Sequence, residues 1–233
     1  IAREILRLVG EFERRCRQEE GRLRLGVLPT IAPYLLPKIT RGISRILKGR
    51  KVSFIEEHTA QLVKRVREGS IDIALLSTPL HEPGLTELPL YEEPFLLAAP
   101  RRHPLAKRGR VHPHDVAKER VLLLGEGHCM RDQAVSLCHL ASPDIDTDFS
   151  ASSIDTLRSM VALGVGVTLV PTLAARRSAQ LVYLPFTDPS IARTIGLLHR
   201  VTFNDDGAVE SLATLIRSVA AAEGLSCIPA RLA

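Results

Sequence analysis

Cys129 and Cys138 stand nine positions apart in the stretch GHCMRDQAVSLC, residues 127–138. The thiolate is the reactive form of cysteine, and neighbouring cations or a helix start favour it. A second thiol nearby can trap an oxidised first one as a disulfide. His128 precedes Cys129, and Arg131 and Asp132 follow it. The spacing has a mechanical consequence as well. Nine residues of one helix rise about 13 Å, whereas a disulfide needs Cα atoms roughly 4.4–6.8 Å apart. Bond and helix exclude each other, so oxidation would remodel the stretch.

Plainer roles exist for each of these residues. A free cysteine is more often an inert core residue, since free Cys is among the most buried types. Cys138 follows Val135 and Leu137 in an amphipathic pattern, which suits packing. Thr30 and Thr59 each come after a strand and open a helix, where N-capping is the ordinary use of a hydroxyl. The eight histidines show no HxxxH pattern and the cysteines no CxxC pattern, so neither a metal site nor a cofactor is expected. His112 and His114 flank a proline in a polar loop and make a weak ligand pair. Cys16 and Cys227 have no assignable role.

The elements that would position these residues follow from hydrophobic period. Leu23, Leu25 and Val27 alternate as a strand. Leu36, Ile39, Ile43, Ile46 and Leu47 mark one helix face. Residues 52–56 read as a strand, and Leu62, Val63 and Val66 as a helix stopped by Gly69. Residues 71–76 form a nearly continuous apolar strand, as in a sheet covered on both faces. This β-α-β-α-β order implies a parallel sheet. A further strand at 95–99 leads into a basic, proline-punctuated stretch from Pro100 to Pro113, near which the chain is expected to change domain.

A second unit follows. Strands are expected at 121–124, near 147–151, and at 166–170, 181–184 and 194–199. A helix carrying Ile154, Leu157, Met160 and Val161 is capped by Ser152 or Ser153 and ended by Gly164. The last helix carries Val209, Leu212, Leu215, Ile216 and Val219. Residues 1–20 read as a helix with a coiled-coil seam of Ile1, Ile5, Leu8 and Phe12. Open α/β sheets bind ligands at the carboxyl ends of their strands. No P-loop, GxGxxG, internal repeat or low-complexity tract is present.

The 233 residues, 45% of them hydrophobic, suit one large or two small domains. The net charge of +5, from 31 basic and 26 acidic residues, is mixed along the chain and does not by itself argue for a nucleic-acid surface. No apolar run reaches the roughly 18 residues of a membrane span. The start resembles no signal peptide and lacks Met, as expected of a fragment or a processed product. Four cysteines are too few for a secreted disulfide framework, so a reducing cytosol, hence a cytoplasmic location, is the expected setting.

A coiled-coil helix leading into two α/β units resembles the effector domain of LysR-type transcriptional regulators. The cysteine stretch narrows this to the hydrogen-peroxide sensors of that family. Other stretches agree in order from about residue 22 to 200. They are GVLPT at 26–30 running into PYLLP at 33–37, EHTAQ at 57–61, SIDTLR at 153–158 and RTIGL at 193–197. The resemblance implies a linker or dimerisation helix at 1–20. It also implies two Rossmann-like, periplasmic-binding-protein-like subdomains joined by crossing strands, at 22–95 with 200–233 and at 96–199. Cys129 would be the peroxide-reactive residue and Cys138 the resolving one. Arg193 would lie beside the reactive sulfur and stabilise charge. Thr30 and Thr59 would line an effector pocket. His128 would orient peroxide or tune the thiol. Asp132 would hold water or peroxide, or pair with an arginine, or simply be a first-turn acid. The implied partners are hydrogen peroxide, a homodimer or homotetramer, RNA polymerase, and promoter DNA bound through an N-terminal helix-turn-helix absent from this sequence. Two other readings compete. One is an effector domain for a small organic ligand, with passive cysteines. The other is a thiol peroxidase or cysteine hydrolase, although a Cys beside a His in sequence is not a catalytic geometry.

Overall fold

The computed structural model describes residues 22–47, 50–116, 118–139 and 149–229. The expected helix over 1–20, with Cys16, lies outside them. The chain divides into two compact units, Glu93–Arg193 being one and the residues up to Glu92 together with those from Thr194 onward the other.

The first unit is built on a mixed sheet. Strands β1 (Arg22–Val27) and β2 (Lys51–Glu56) pair in parallel, with Val27 beside Glu56. Strand β3 (Ile73–Thr78) lies parallel on the other side of β1. The continuous apolar run that predicted it is buried throughout, consistent with cover on both faces. Helix α1 (Ala32–Ile46) buries Tyr34, Leu35, Ile39 and Ile43, and α2 (Thr59–Arg67) buries Leu62, Val63 and Val66. Gly69 follows α2 with φ of +78°, the left-handed conformation that ends helices and favours glycine. Strand β9 (Ala192–Arg200) runs antiparallel to β3, pairing Thr194 with Thr78. The sheet is therefore mixed rather than wholly parallel. Helix α6 (Asp206–Ala222) packs on α1, and the short β10 (Ser226–Cys227) pairs with β4 (Leu85–Pro100).

The second unit continues along β4. Its later half pairs antiparallel with β7 (Thr168–Pro171) and β8 (Leu181–Pro185). A small parallel pair, β5 (Leu123–Leu124) and β6 (Ser150–Ala151), adjoins α4 (Cys129–His139) and α5 (Ile154–Ala162). A one-turn helix α3 (Pro113–Val116) packs against α4. Ser153 caps α5 by accepting from the Thr156 N–H.

Three expectations need correcting. The strand expected at 95–99 is 16 residues long and begins at Leu85. Pro89, Pro94 and three glutamates disguise its first half. The division falls at 92/93 and 193/194 rather than at 95/96 and 199/200, because β4 and β9 run from one unit into the other without a break in pattern. Neither threonine caps a helix. The N-cap of α1 is Ile31 and that of α2 is His58, each without a side-chain cap bond.

Candidate functional site

Cys129 is the first residue of α4, a helix that runs unbroken to His139 and so includes position 138. Cys129 is in no disulfide and is half-buried. Only the helical backbone is described at Cys138. Regular helical rise separates the two Cα atoms by about 13 Å, well beyond disulfide reach. Gly127, with φ of +85°, turns the chain just before the helix. The His128 carbonyl accepts from the Arg131 N–H at 2.9 Å, and the His128 side chain is buried. Asp132 sits exposed in the first turn.

Several contacts in its first turns hold helix α4 in place. Met130 and Ala134 are its fully buried apolar residues among those described. Arg131 donates to the Leu124 carbonyl at 3.0 Å, which ties the first turn to β5. The Gln133 Oε1 is buried without a hydrogen-bond partner among the described residues. An unsatisfied buried amide lowers the cost of opening this helix locally.

Arg193 is buried in β9, and its Nε and one terminal nitrogen donate to Glu93 Oε2 at 2.9 and 2.7 Å. Glu93 is fully buried, and its other oxygen accepts from the Leu173 N–H at 2.9 Å. The guanidinium also lies 5.9 Å from the Phe95 ring centroid. Arg193 thus belongs to a neutral, buried ion pair and is not a bare cation. Sequence reasoning missed Glu93. The signal was its phase, since Tyr91, Glu93, Phe95 and Leu97 alternate as the buried side of β4.

In the first unit, Thr30 and Thr59 follow the carboxyl ends of the adjacent parallel strands β1 and β2. Thr30 is buried, and the Thr59 hydroxyl is buried with no partner among the described residues. Thr78, also missed, ends β3 beside them in the sheet, and its hydroxyl is likewise buried and unpartnered. Three hydroxyl residues therefore cluster at the sheet edge where open α/β folds take ligands. Thr59→Val removes an unsatisfied polar atom at nearly constant shape. It is expected to leave stability unchanged or raise it by about 1 kcal/mol, measured by urea unfolding. A loss of more than that would mean the hydroxyl has a partner.

The LysR substrate binding domain model matches residues 17–221. The chain belongs to this family. Two relatives of the LysR domain are each 39% identical. The hydrogen peroxide-inducible genes activator of Pectobacterium carotovorum subsp. carotovorum aligns over 93% of this chain and 74% of its own length. The DNA-binding transcriptional dual regulator OxyR of Escherichia coli K12 aligns over 93% and 73%. Among solved structures, a reduced form of OxyR from N. meningitidis superposes with a TM-score of 0.82 at 30% identity, covering 90% of this chain and all of that one. An oxidised form of OxyR gives 0.76 at 39% identity, covering 86% and 96%. The two-subdomain, periplasmic-binding-protein-like architecture of LysR regulatory domains is thereby established for this chain.

Proposed function

We propose that this chain is the peroxide-sensing regulatory domain of a LysR-type transcriptional regulator. The observation that carries this is the placement of Cys129 as the first residue of a helix that also contains position 138. The Cys129 thiolate attacks one oxygen of hydrogen peroxide. The O–O bond breaks, hydroxide leaves, and the sulfur becomes a sulfenic acid. The Cys138 sulfur then attacks that sulfur, the S–O bond breaks, and water leaves as the disulfide forms. Bridging requires α4 to unwind, and the change passes to a homodimer or homotetramer whose N-terminal helix-turn-helix heads sit on promoter DNA. RNA polymerase is the downstream partner and the cytoplasm the location. Among the described residues no helix is long and apolar enough to cross a membrane. His128, just before Cys129, and Asp132, in the first turn of α4, are assigned to orienting the peroxide. The Arg193–Glu93 pair fixes the start of β9, and Thr30 and Thr59 are assigned to an effector pocket of the first unit.

One equivalent of peroxide added to the reduced chain is expected to give a Cys129–Cys138 disulfide by peptide mass mapping. Cys129→Ser is expected to abolish it. A Cys129 that stays unmodified while other thiols titrate would sink the proposal. The buried hydroxyls of Thr59 and Thr78 favour a second reading, an organic effector in the first unit. A Cys129→Ser regulator that still responds fully to its stimulus would select that reading.

A further inference from the structure

Residues 101–110 hold five Lys and Arg residues and no Asp or Glu. Arg101, Arg102, Lys107, Arg108 and Arg110 are all exposed. The loop is nonetheless well anchored. The Arg101 N–H donates to the Gln180 carbonyl at 2.8 Å, and Val111 exchanges backbone bonds with Pro185 and Thr187. Leu105 and Val111 are buried beneath it. The His103 Nε2 lies 3.3 Å from Glu119, while its Nδ1 accepts from the Leu105 N–H. Asp115 neutralises Arg108 at 2.6 Å. The His112 backbone N–H and then Arg108 hold the Asp115 carboxyl below the usual carboxylate range, so this offset persists at neutral pH. Arg101, Arg102, Lys107 and Arg110 make no ion pair among the described residues.

Four uncompensated cations on a fastened loop form a surface whose ordering cost is already met by folding. Its chemistry selects the partner. Protein interfaces need an apolar or aromatic centre. Among the described residues the exposed large apolar side chains, Phe54, Leu163 and Val201, all lie outside this loop. Single-stranded nucleic acid needs aromatic platforms for its bases, and the loop carries no Phe, Tyr or Trp. Three guanidinium forks and an ammonium match a regular array of phosphates.

We infer that residues 101–110 form a docking surface for the phosphodiester backbone of duplex DNA, engaged without regard to base sequence. The choice of DNA rests on the proposed function, whereas the cationic surface does not. In a regulator already tethered to a promoter, even weak contact of this kind is amplified by effective concentration. It would favour DNA bent back toward the regulatory domain.

The test uses the 233-residue chain and a fluorescent duplex of arbitrary sequence, with binding followed by anisotropy as salt is raised. Each lost phosphate contact lowers the salt slope by about 0.9. Converting Arg101, Arg102, Lys107 and Arg110 to serine is expected to reduce the slope by about 3 to 4 and weaken low-salt binding at least about tenfold. A control loses the same charge from Arg22, Arg41, Arg45 and Lys51, exposed cations of the first unit. It is expected to keep its slope within about 1 of the parent. Equal losses in both variants would overturn the proposal, since net charge alone would then explain binding. So would a parent that ignores duplex DNA, or that prefers polyglutamate to it. A chain that forms the Cys129–Cys138 bond yet fails these tests would refute the docking surface and leave the sensing function standing.

Discussion

Glu93→Ala is expected to lower the thermal midpoint by roughly 6–20 °C. The substitution strands the Arg193 guanidinium in a site only 3% exposed, and takes the acceptor from the Leu173 N–H. Removing one partner of a buried pair costs about 3–5 kcal/mol, because the remaining charge stays unsolvated. At this chain length each kcal/mol moves the midpoint by about 2–4 °C. Glu93→Gln keeps one acceptor oxygen but loses the charge, and should fall between. The informative variant is the double replacement Glu93→Leu with Arg193→Met. Replacing both ions by apolar groups of similar volume is often neutral or better, so the double variant should recover much of the loss. A Glu93→Ala midpoint within about 2 °C of the parent would show that water reaches the pair. If Arg193 also assists Cys129, the double variant will fold yet react slowly with peroxide, which separates the stabilising role of the pair from its chemistry.

Much of this architecture was legible because burial imposes a period. Leu23, Leu25 and Val27 alternate and are all fully buried, and β3 reads as a continuous apolar run because both its faces are covered. The first half of β4 was not legible. Its glutamates and prolines resemble a loop, and its strand conformation depends on pairing with residues more than a hundred positions away. Helix starts failed for a related reason. A threonine before a helix suggests a cap, but Thr30 is turned inward and Thr59 is already the first helical residue. Glu93 failed because an acid in a strand is ordinarily read as facing solvent, and only its distant partner Arg193 makes burial tolerable. The cysteine stretch was legible through its residue types, yet the contacts that hold α4 were not. Among the described residues these include the Leu124 carbonyl of β5 and the burial of Met130 and Ala134.

Oxidation is expected to open α4 selectively. In the reduced chain the backbone bonds of Cys129–His139 protect their amides from exchange. A bridge between positions 129 and 138 demands that about 13 Å of helical rise collapse to roughly 6 Å, so most of those bonds must break. Amides within the helix should then exchange at least about a hundredfold faster, equivalent to about 3 kcal/mol of lost protection. Those of β1 and β3 should keep their rates, since their paired backbone belongs to the other unit. Cys138→Ser separates the two chemical steps. Peroxide should still convert Cys129 to a sulfenic acid, trapped by dimedone, while α4 retains its protection. Opening without a bridge would assign the switch to sulfur oxidation itself. A fully bridged sample with unchanged exchange would be incompatible with the coupling of bond to helix, and the signal would have to leave the site by another route. Because Met130 and Ala134 must leave their buried positions when the helix opens, conversion costs that apolar contact and the Arg131–Leu124 bond in addition to the backbone bonds that break. The free energy that offsets this comes from reduction of the peroxide O–O bond to water as the two thiols are oxidised.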